Sequence, residues 1–275
     1  DQSIIAASYI QNGFVNRLNR KNRNVKQAGF IVLKYTYMPS VLIELGFLTN
    51  DSRAALSRSA IWIGYKRYLD LLEPLRRFDQ VRIDSSLTNE RDRCQQAVKL
   101  AQEGIKVSLI SSGDSGIYGM AGLALENLLL LSQSDRPYFQ VHPGISALQM
   151  AAAKIGAPLM HDFCAISLSD CLTPWGKIQE RIKAASSSDF VIAFYNPRSV
   201  ERNWQLQKAF DILLQDRPKR TPVVFARQLG REDEQVEVHM LGSLPVEKVD
   251  MLTLILVGNR SSFVKEGFVL TPRGY

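Results

Sequence analysis

Between residues 106 and 131 the chain runs from an apolar, β-branched stretch, Lys106–Ile110, through a glycine-rich turn into the leucine-rich stretch Leu123–Leu131. The turn reads Ser111-Ser112-Gly113-Asp114-Ser115-Gly116-Ile117-Tyr118-Gly119-Met120. A buried strand that passes through three glycines directly into a helix leaves few folds open. Its glycines permit φ > 0 and let a ligand approach the backbone closely. The free N–H groups where the helix begins suit a carboxylate, and Asp114 is placed to meet an ammonium or sulfonium. An ordinary strand-to-helix turn has the same composition. The run is not the dinucleotide fingerprint, because its glycines do not fall as G-x-G-x-x-G.

The rest of the chain from about Asp51 repeats this alternation. Gln95–Gln102 is helix-like before the strand at 106–110, Phe139–Val141 reads as a short strand, and Ala147–Ile155 reads as a helix. After Pro158, strands are expected at Cys164–Leu168, Phe190–Phe194, Pro222–Arg227, Gln235–Met240 and Met251–Val257. Helices are expected at Trp175–Ala184 and Arg202–Leu214. The βαβα order predicts an α/β protein whose two domains, 51–157 and 158–275, each carry a mixed, mostly parallel sheet flanked by helices. A hinge is expected near Ala157–Asp162. Residues 1–50 have another texture. Ala7, Ile10, Phe14 and Leu18 fall at helical spacing over residues 2–20, and Phe30–Tyr35 and Val41–Leu45 are strand-like.

Composition removes several function classes. Of the 275 residues, 45% are apolar and 22% charged, which is the balance of a soluble globular chain. The longest apolar stretch, around Leu128–Leu131, is far too short for a membrane span. The net charge is +7, but Arg17, Arg20, Lys21, Arg23, Lys26 and Lys34 against Asp1 and Glu44 put +4 of it in residues 1–50. The body therefore lacks the basic stripe that nucleic acid would need. Cys94, Cys164 and Cys171 are too few and too scattered for a disulfide framework, so the expected compartment is the cytoplasm. His142, His161 and His239 lack ligand spacing, and no metal site is expected.

Six collinear runs carry a resemblance. They are WIGYKRYLDLLEPL (62–75), SSGDSGIYGMAGLALE (111–126), HPGISALQMAAAKIGAPLMHDF (142–163), ISLSDCLTPW (166–175), DFVIAFYNPRS (189–199) and TPRGY (271–275). Over about residues 49–275 the chain resembles the tetrapyrrole methyltransferase superfamily, in the form used by the corrin-ring C(17) enzymes. The resemblance implies S-adenosyl-L-methionine as cofactor and methylation of precorrin-3B or its cobalt form at carbon 17 with ring contraction, in cobalamin biosynthesis. It also implies a homodimer. Carried over residue by residue, cofactor contacts fall on Ser112, Gly113, Asp114, Ile117 and Tyr118, on Ser146 and Ala147, on Tyr195 and Asn196, and on Ala226. Ser146 also suits a helix cap, and Tyr195-Asn196 before Pro197 also suits a turn.

Methyl transfer is an in-line displacement that needs alignment more than a protein nucleophile. Ring contraction moves protons, and His161, Asp162 and Asp170 are the candidate acid–base groups. Lys66, Arg67, Arg198 and Arg202 are candidate partners for substrate carboxylates. Residues 1–50 instead resemble the C-terminal end of a zinc-dependent N-acetylmuramoyl-L-alanine amidase, in which the position of Glu44 is catalytic. No histidine precedes His142, so a working amidase is not expected. The methyltransferase family's first strand and GxGPG loop are missing at the join, 47–51. A tetrapyrrole- or nucleoside-binding protein without activity is the alternative reading.

Overall fold

The computed structural model describes residues 48–86 and 88–274, all within one unit, Gly46–Tyr275. The expected helix over 2–20, the strands Phe30–Tyr35 and Val41–Leu45, and Glu44 lie outside the described residues.

Thr49 opens the first helix, α1 (Asn50–Arg58), its Oγ1 accepting from the Ser52 amide at 3.2 Å. Then follow β1 (Ile61–Tyr65), α2 (Lys66–Leu72), β2 (Val81–Ser85), α3 (Glu90–Gln102) and β3 (Val107–Ile110). The three strands form an all-parallel sheet in the order β2-β1-β3. Trp62 on the central strand is fully buried. Its Nε1 donates to the Leu56 carbonyl at 3.0 Å and to Ser59 Oγ at 3.1 Å. Gln80 Nε2 donates to the Leu56 and Ser59 carbonyls, both at 2.7 Å. Two side chains thus satisfy carbonyls that the end of α1 leaves open. Trp62→Ala is expected to cost about 3–5 kcal/mol of stability. The measurement is a lower urea midpoint at unchanged slope.

The glycine-rich turn leads from β3 into α4 (Ala121–Leu129). The strand expected at Phe139–Val141 is not formed. Phe139 packs against the Cys94–Met120–Ala124 cluster, while Tyr138 and Val141 stay exposed. With no ladder partner among the described residues, an apolar run there makes packing contacts without strand pairing.

Next come α5 (Ala147–Ile155) and β4 (Gly156–Ala157), then β5 (Phe163–Ser167), α6 (Trp175–Ser187), β6 (Val191–Tyr195), α7 (Gln205–Asp216), β7 (Pro222–Arg227), β8 (Gln235–Met240) and β9 (Thr253–Val257). The second sheet has the order β5-β6-β9-β7-β8. The α/β class holds, but here the parallel share is small: β5–β6 is parallel and the other three pairs are antiparallel. The cause is connectivity. β7 and β8 are joined by a hairpin turn rather than a crossover helix, and β9 inserts between β6 and β7 running against both.

Strand alternation sorts the core into two layers. Ile192, Phe194, Val223, Ile255 and Val257 face α6 and α7 through Ile178, Ile182, Leu206, Phe210 and Leu213. Ala193, Val224, Ala226 and Leu256 face α5 through Leu148, Ala151 and Ile155. A final hairpin, β10 (Phe263–Lys265) and β11 (Phe268–Leu270), runs back to the junction between the two sheets. There β11 pairs in parallel with β4, Val269 opposite Gly156 and Leu270 opposite Ala157. Among the described residues no helix is long and apolar enough to cross a membrane.

Candidate active site

The carboxyl ends of β3, β5 and β6 carry the candidate residues. Asp114 organises the glycine-rich loop: its Oδ1 accepts from the Gly116 amide at 2.8 Å and its Oδ2 from the Gly144 amide at 3.1 Å. The carboxylate therefore ties loop 111–120 to loop 142–147 and acts on any ligand through the backbone it positions. Ser111 Oγ accepts from the Met120 amide at 3.2 Å and closes the other end of the turn. Leu48 forms a bridge with Gly144, and Ser52 Oγ donates to the Pro143 carbonyl at 2.9 Å. The chain entering α1 thus abuts this loop pair.

Two glycines are needed here. Gly113 has φ +65°, and a Cβ built on it would stand 3.6 Å from the Ile145 carbonyl and 3.8 Å from the Ala147 amide nitrogen. The space it leaves open is the cradle between the two loops. At Gly119 a Cβ would lie 2.4 Å from the Ser115 carbonyl, so a side chain there breaks the turn.

Tyr118 has φ 53°, an unusual conformation for an aromatic residue. It carries the loop across to the second sheet, where its hydroxyl donates to the Ala165 carbonyl at 3.1 Å. Its ring lies 4.9 Å from that of Tyr195 at a 47° tilt. Tyr195 ends β6, and its hydroxyl accepts from the Leu148 amide at 3.3 Å and is bonded to Ser146 Oγ. Burial raises the Tyr195 phenol above its ordinary range, with like effect on Tyr118, so both stay neutral donors and acceptors. Ser146 is 2% exposed and, with Gln149, makes the capping box of α5. Asn196 has φ 50°, and its Nδ2 donates to Ser167 Oγ at 3.1 Å. Left-handed Tyr118 and Asn196 on one rim are the kind of strain that gathers at working sites.

The fold therefore brings Gly113, Asp114, Tyr118, Ser146, Tyr195 and Asn196 together, with Ile117 and Tyr118 exposed. Ser112 lies in the same loop and Ala147 opens α5. Ala226 is level with them on the α5 face but 1% exposed and packed in the core. Asp170 follows β5 and its Oδ2 accepts from Gln205 Nε2 at 2.9 Å. His161 and Asp162 are not brought to this rim. They precede β5, where the Asp162 carbonyl accepts from the Val191 amide at 3.0 Å. Five residues of strand put them on the order of 15 Å away, beside Ser188, Asp189, Asn259 and Arg273 around a cavity of about 290 Å³. Gly119, Gly144 and Ser167 stand on this rim as well, and the sequence alone does not single them out. Gly119 sits in the quoted run, but its closeness to Ser115 exists only in the folded turn.

A family model, Tetrapyrrole (Corrin/Porphyrin) Methylases, matches residues 45–245. The chain belongs to the tetrapyrrole methylase family. A probable cobalt-factor III C(17)-methyltransferase of Salmonella typhimurium is 47% identical over 228 residues, covering 83% of this chain and 93% of that protein. A precorrin-3B C(17)-methyltransferase of a Sinorhizobium species is 39% identical over 237 residues, covering 83% and 91%. The crystal structure of the methyltransferase CobJ superposes with a TM-score of 0.78 at 34% identity, covering 82% of this chain and 94% of that one. A second family model, N-acetylmuramoyl-L-alanine amidase, matches residues 1–63. Where the two matches overlap, β1 pairs in the first sheet and α1 packs against it.

Two of the free thiols, Cys94 and Cys164, are poor nucleophiles. Burial pushes Cys94 up to about 11 and raises Cys164, which leaves both protonated at neutral pH.

Proposed function

We propose that this chain transfers a methyl group from S-adenosyl-L-methionine to carbon 17 of a corrin-pathway tetrapyrrole, precorrin-3B or its cobalt form, with ring contraction. The observation that carries this reading is the glycine loop locked by Asp114 to Gly144 and laid by Tyr118 against Tyr195. A pre-set cradle of backbone amides is what an in-line displacement needs, since orientation supplies much of its rate. The cofactor, when bound, supplies an electrophilic methyl on a sulfonium. The proposed contacts are Ser112, Gly113, Ile117, Tyr118, Ala147 and Asn196, with Asp114, Ser146, Tyr195 and Ala226 shaping the pocket behind them. Asp170 is the proposed proton-transfer group. His161 and Asp162 are left out because a strand's length separates them from the rim.

Residues 51–157 and 158–275 are proposed as two domains that share this site. A homodimer in the cytoplasm is the proposed working form, by analogy with the enzymes the sequence resembles.

Titration calorimetry with S-adenosylhomocysteine tests the reading without the unstable macrocycle. One site per chain is expected. Ligand at a hundred times its dissociation constant should add about 2.7 kcal/mol to stability. Absence of both heat and a melting shift at saturating ligand would overturn it.

A further inference from the structure

We infer that Arg202, with the adjacent N-termini of α6 and α7, seats a carboxylate arm of the tetrapyrrole. The assignment rests on the methyltransferase reading above. Three arginines are buried among the described residues: Arg93, Arg202 and Arg217. Arg217 donates to the carbonyls of Gly258 and Phe190, and Arg93 to that of Ser86. Arg202 is 7% exposed, and its Nε and Nη1 are buried with no acceptor. No ion pair among the described residues includes it.

A guanidinium removed from water without an anion is costly. The backbone nevertheless fixes it there, the Ser199 amide donating to the Arg202 carbonyl at 2.9 Å and the Arg202 amide to Ser199 Oγ at 3.1 Å. The other candidate cations are engaged or solvated. Lys66 pairs with Asp70 at 2.9 Å, Arg198 Nη1 donates to the Val246 carbonyl at 2.7 Å, and Arg67 is exposed. Asp170 is occupied by Gln205.

The surroundings of Arg202 also favour an anion. α6 and α7 start just beyond the carboxyl ends of β5 and β6, and neither has a side-chain cap, Pro174 and Trp204 standing at the cap positions. Trp175 and Trp204 meet edge to face with centroids 5.0 Å apart, which holds the two helix starts side by side. Their open N–H groups and partial positive charge add to the guanidinium. Both helices lie on the sheet face opposite α5 and Ser146. The carboxylate received here is therefore that of the macrocycle rather than the methionine carboxylate of the cofactor.

The test compares the full chain with Arg202→Met and Arg202→Lys. The probes are S-adenosylhomocysteine by calorimetry and uroporphyrin, a macrocycle ringed by acetate and propionate groups, by quenching of its own fluorescence. Arg202→Met should weaken uroporphyrin binding by roughly tenfold to a hundredfold, with Arg202→Lys intermediate. Cofactor-analogue affinity should stay unchanged, and the uroporphyrin methyl ester should bind both forms equally weakly. The melting temperature of Arg202→Met should hold or rise, because an uncompensated buried charge is gone. A structural arginine would instead lower it. If S-adenosylhomocysteine binds while uroporphyrin affinity is the same in both forms, or uroporphyrin does not bind the native chain, this inference fails alone. If S-adenosylhomocysteine does not bind, the methyltransferase reading fails with it. A melting drop with loss of both ligands would also overturn the inference.

Discussion

Gly113→Val is expected to weaken S-adenosylhomocysteine binding on the order of a hundredfold or more while the chain still folds. Gly113 sits at φ +65°, a region that β-branched residues avoid, so the substitution should cost about 1–3 kcal/mol of stability. That is a sizeable part of the reserve of an ordinary domain, about 5–15 kcal/mol, but it leaves the chain folded. The effect on binding is larger because the new side chain lies in the cradle. A single Cβ is accommodated, 3.6 Å from the Ile145 carbonyl, but the two methyls beyond it reach into the space between the loops. Gly113→Ala should accordingly keep part of the affinity. Calorimetry on both variants, with circular dichroism to establish folding, separates the cases. Full affinity in Gly113→Val would mean that the ligand does not enter between residues 113 and 145–147.

The second large effect is expected from the residues just before Leu48. In the family the sequence resembles, a GxGPG loop stands there, whereas this chain reads Ile43-Glu44-Leu45-Gly46-Phe47. Leu48 bridges Gly144, the residue whose amide Asp114 holds, so a glycine loop introduced directly before Leu48 would be tethered beside residues 142–147. Side chains cannot reproduce several close backbone approaches that glycines allow. Misplacement by about an ångström costs on the order of a hundredfold in rate. Placing a GxGPG loop before Leu48 should raise single-turnover methyl transfer by at least that order, with little change in melting temperature. The assay uses labelled cofactor with precorrin-3B generated in place. Equal rates in the two chains would mean that residues 41–47 already supply what the loop supplies elsewhere.

Much of the fold was legible because the pattern and the structure answer to the same burial. α5, β7 and β8 fall on the residues read from the sequence, since each has a clear period and a clear stop. β1 is not legible as a strand: IWIGY is short and mixes Trp, Gly and Tyr, and Trp62 is buried against Leu56, Leu69 and the distant Ile110. The tail hairpin was missed because its partner, Gly156–Ala157, is remote and only two residues long. In the site, the glycine loop was visible as composition, but the direction of Asp114 toward Gly144 was not. His161 and Asp170 are near neighbours in sequence, yet β5 runs between them and sends them to opposite ends of that strand. Arg202 looked like its neighbour Arg198. Only the folded chain distinguishes a guanidinium that has found an acceptor from one that has not.

The pairing of β11 with β4 has a consequence for how the molecule is made. Gly156–Ala157 can be clasped only after Phe268–Leu270 has left the ribosome, so the link closing the junction between the two sheets is among the last contacts formed. The first sheet has its last strand by Ile110 and the second by Val257, and segments generally fold as they emerge. During synthesis, then, the rim that gathers residues from β3, β5 and β6 exists without its rearward tie. The long sequence separation makes this closure slow relative to the local steps. A nascent chain lacking residues from 263 onward would carry both halves of the cradle joined only by contacts such as Asp114 to Gly144 and Tyr118 to Ala165, and it would gain full affinity for cofactor only when the tail docks.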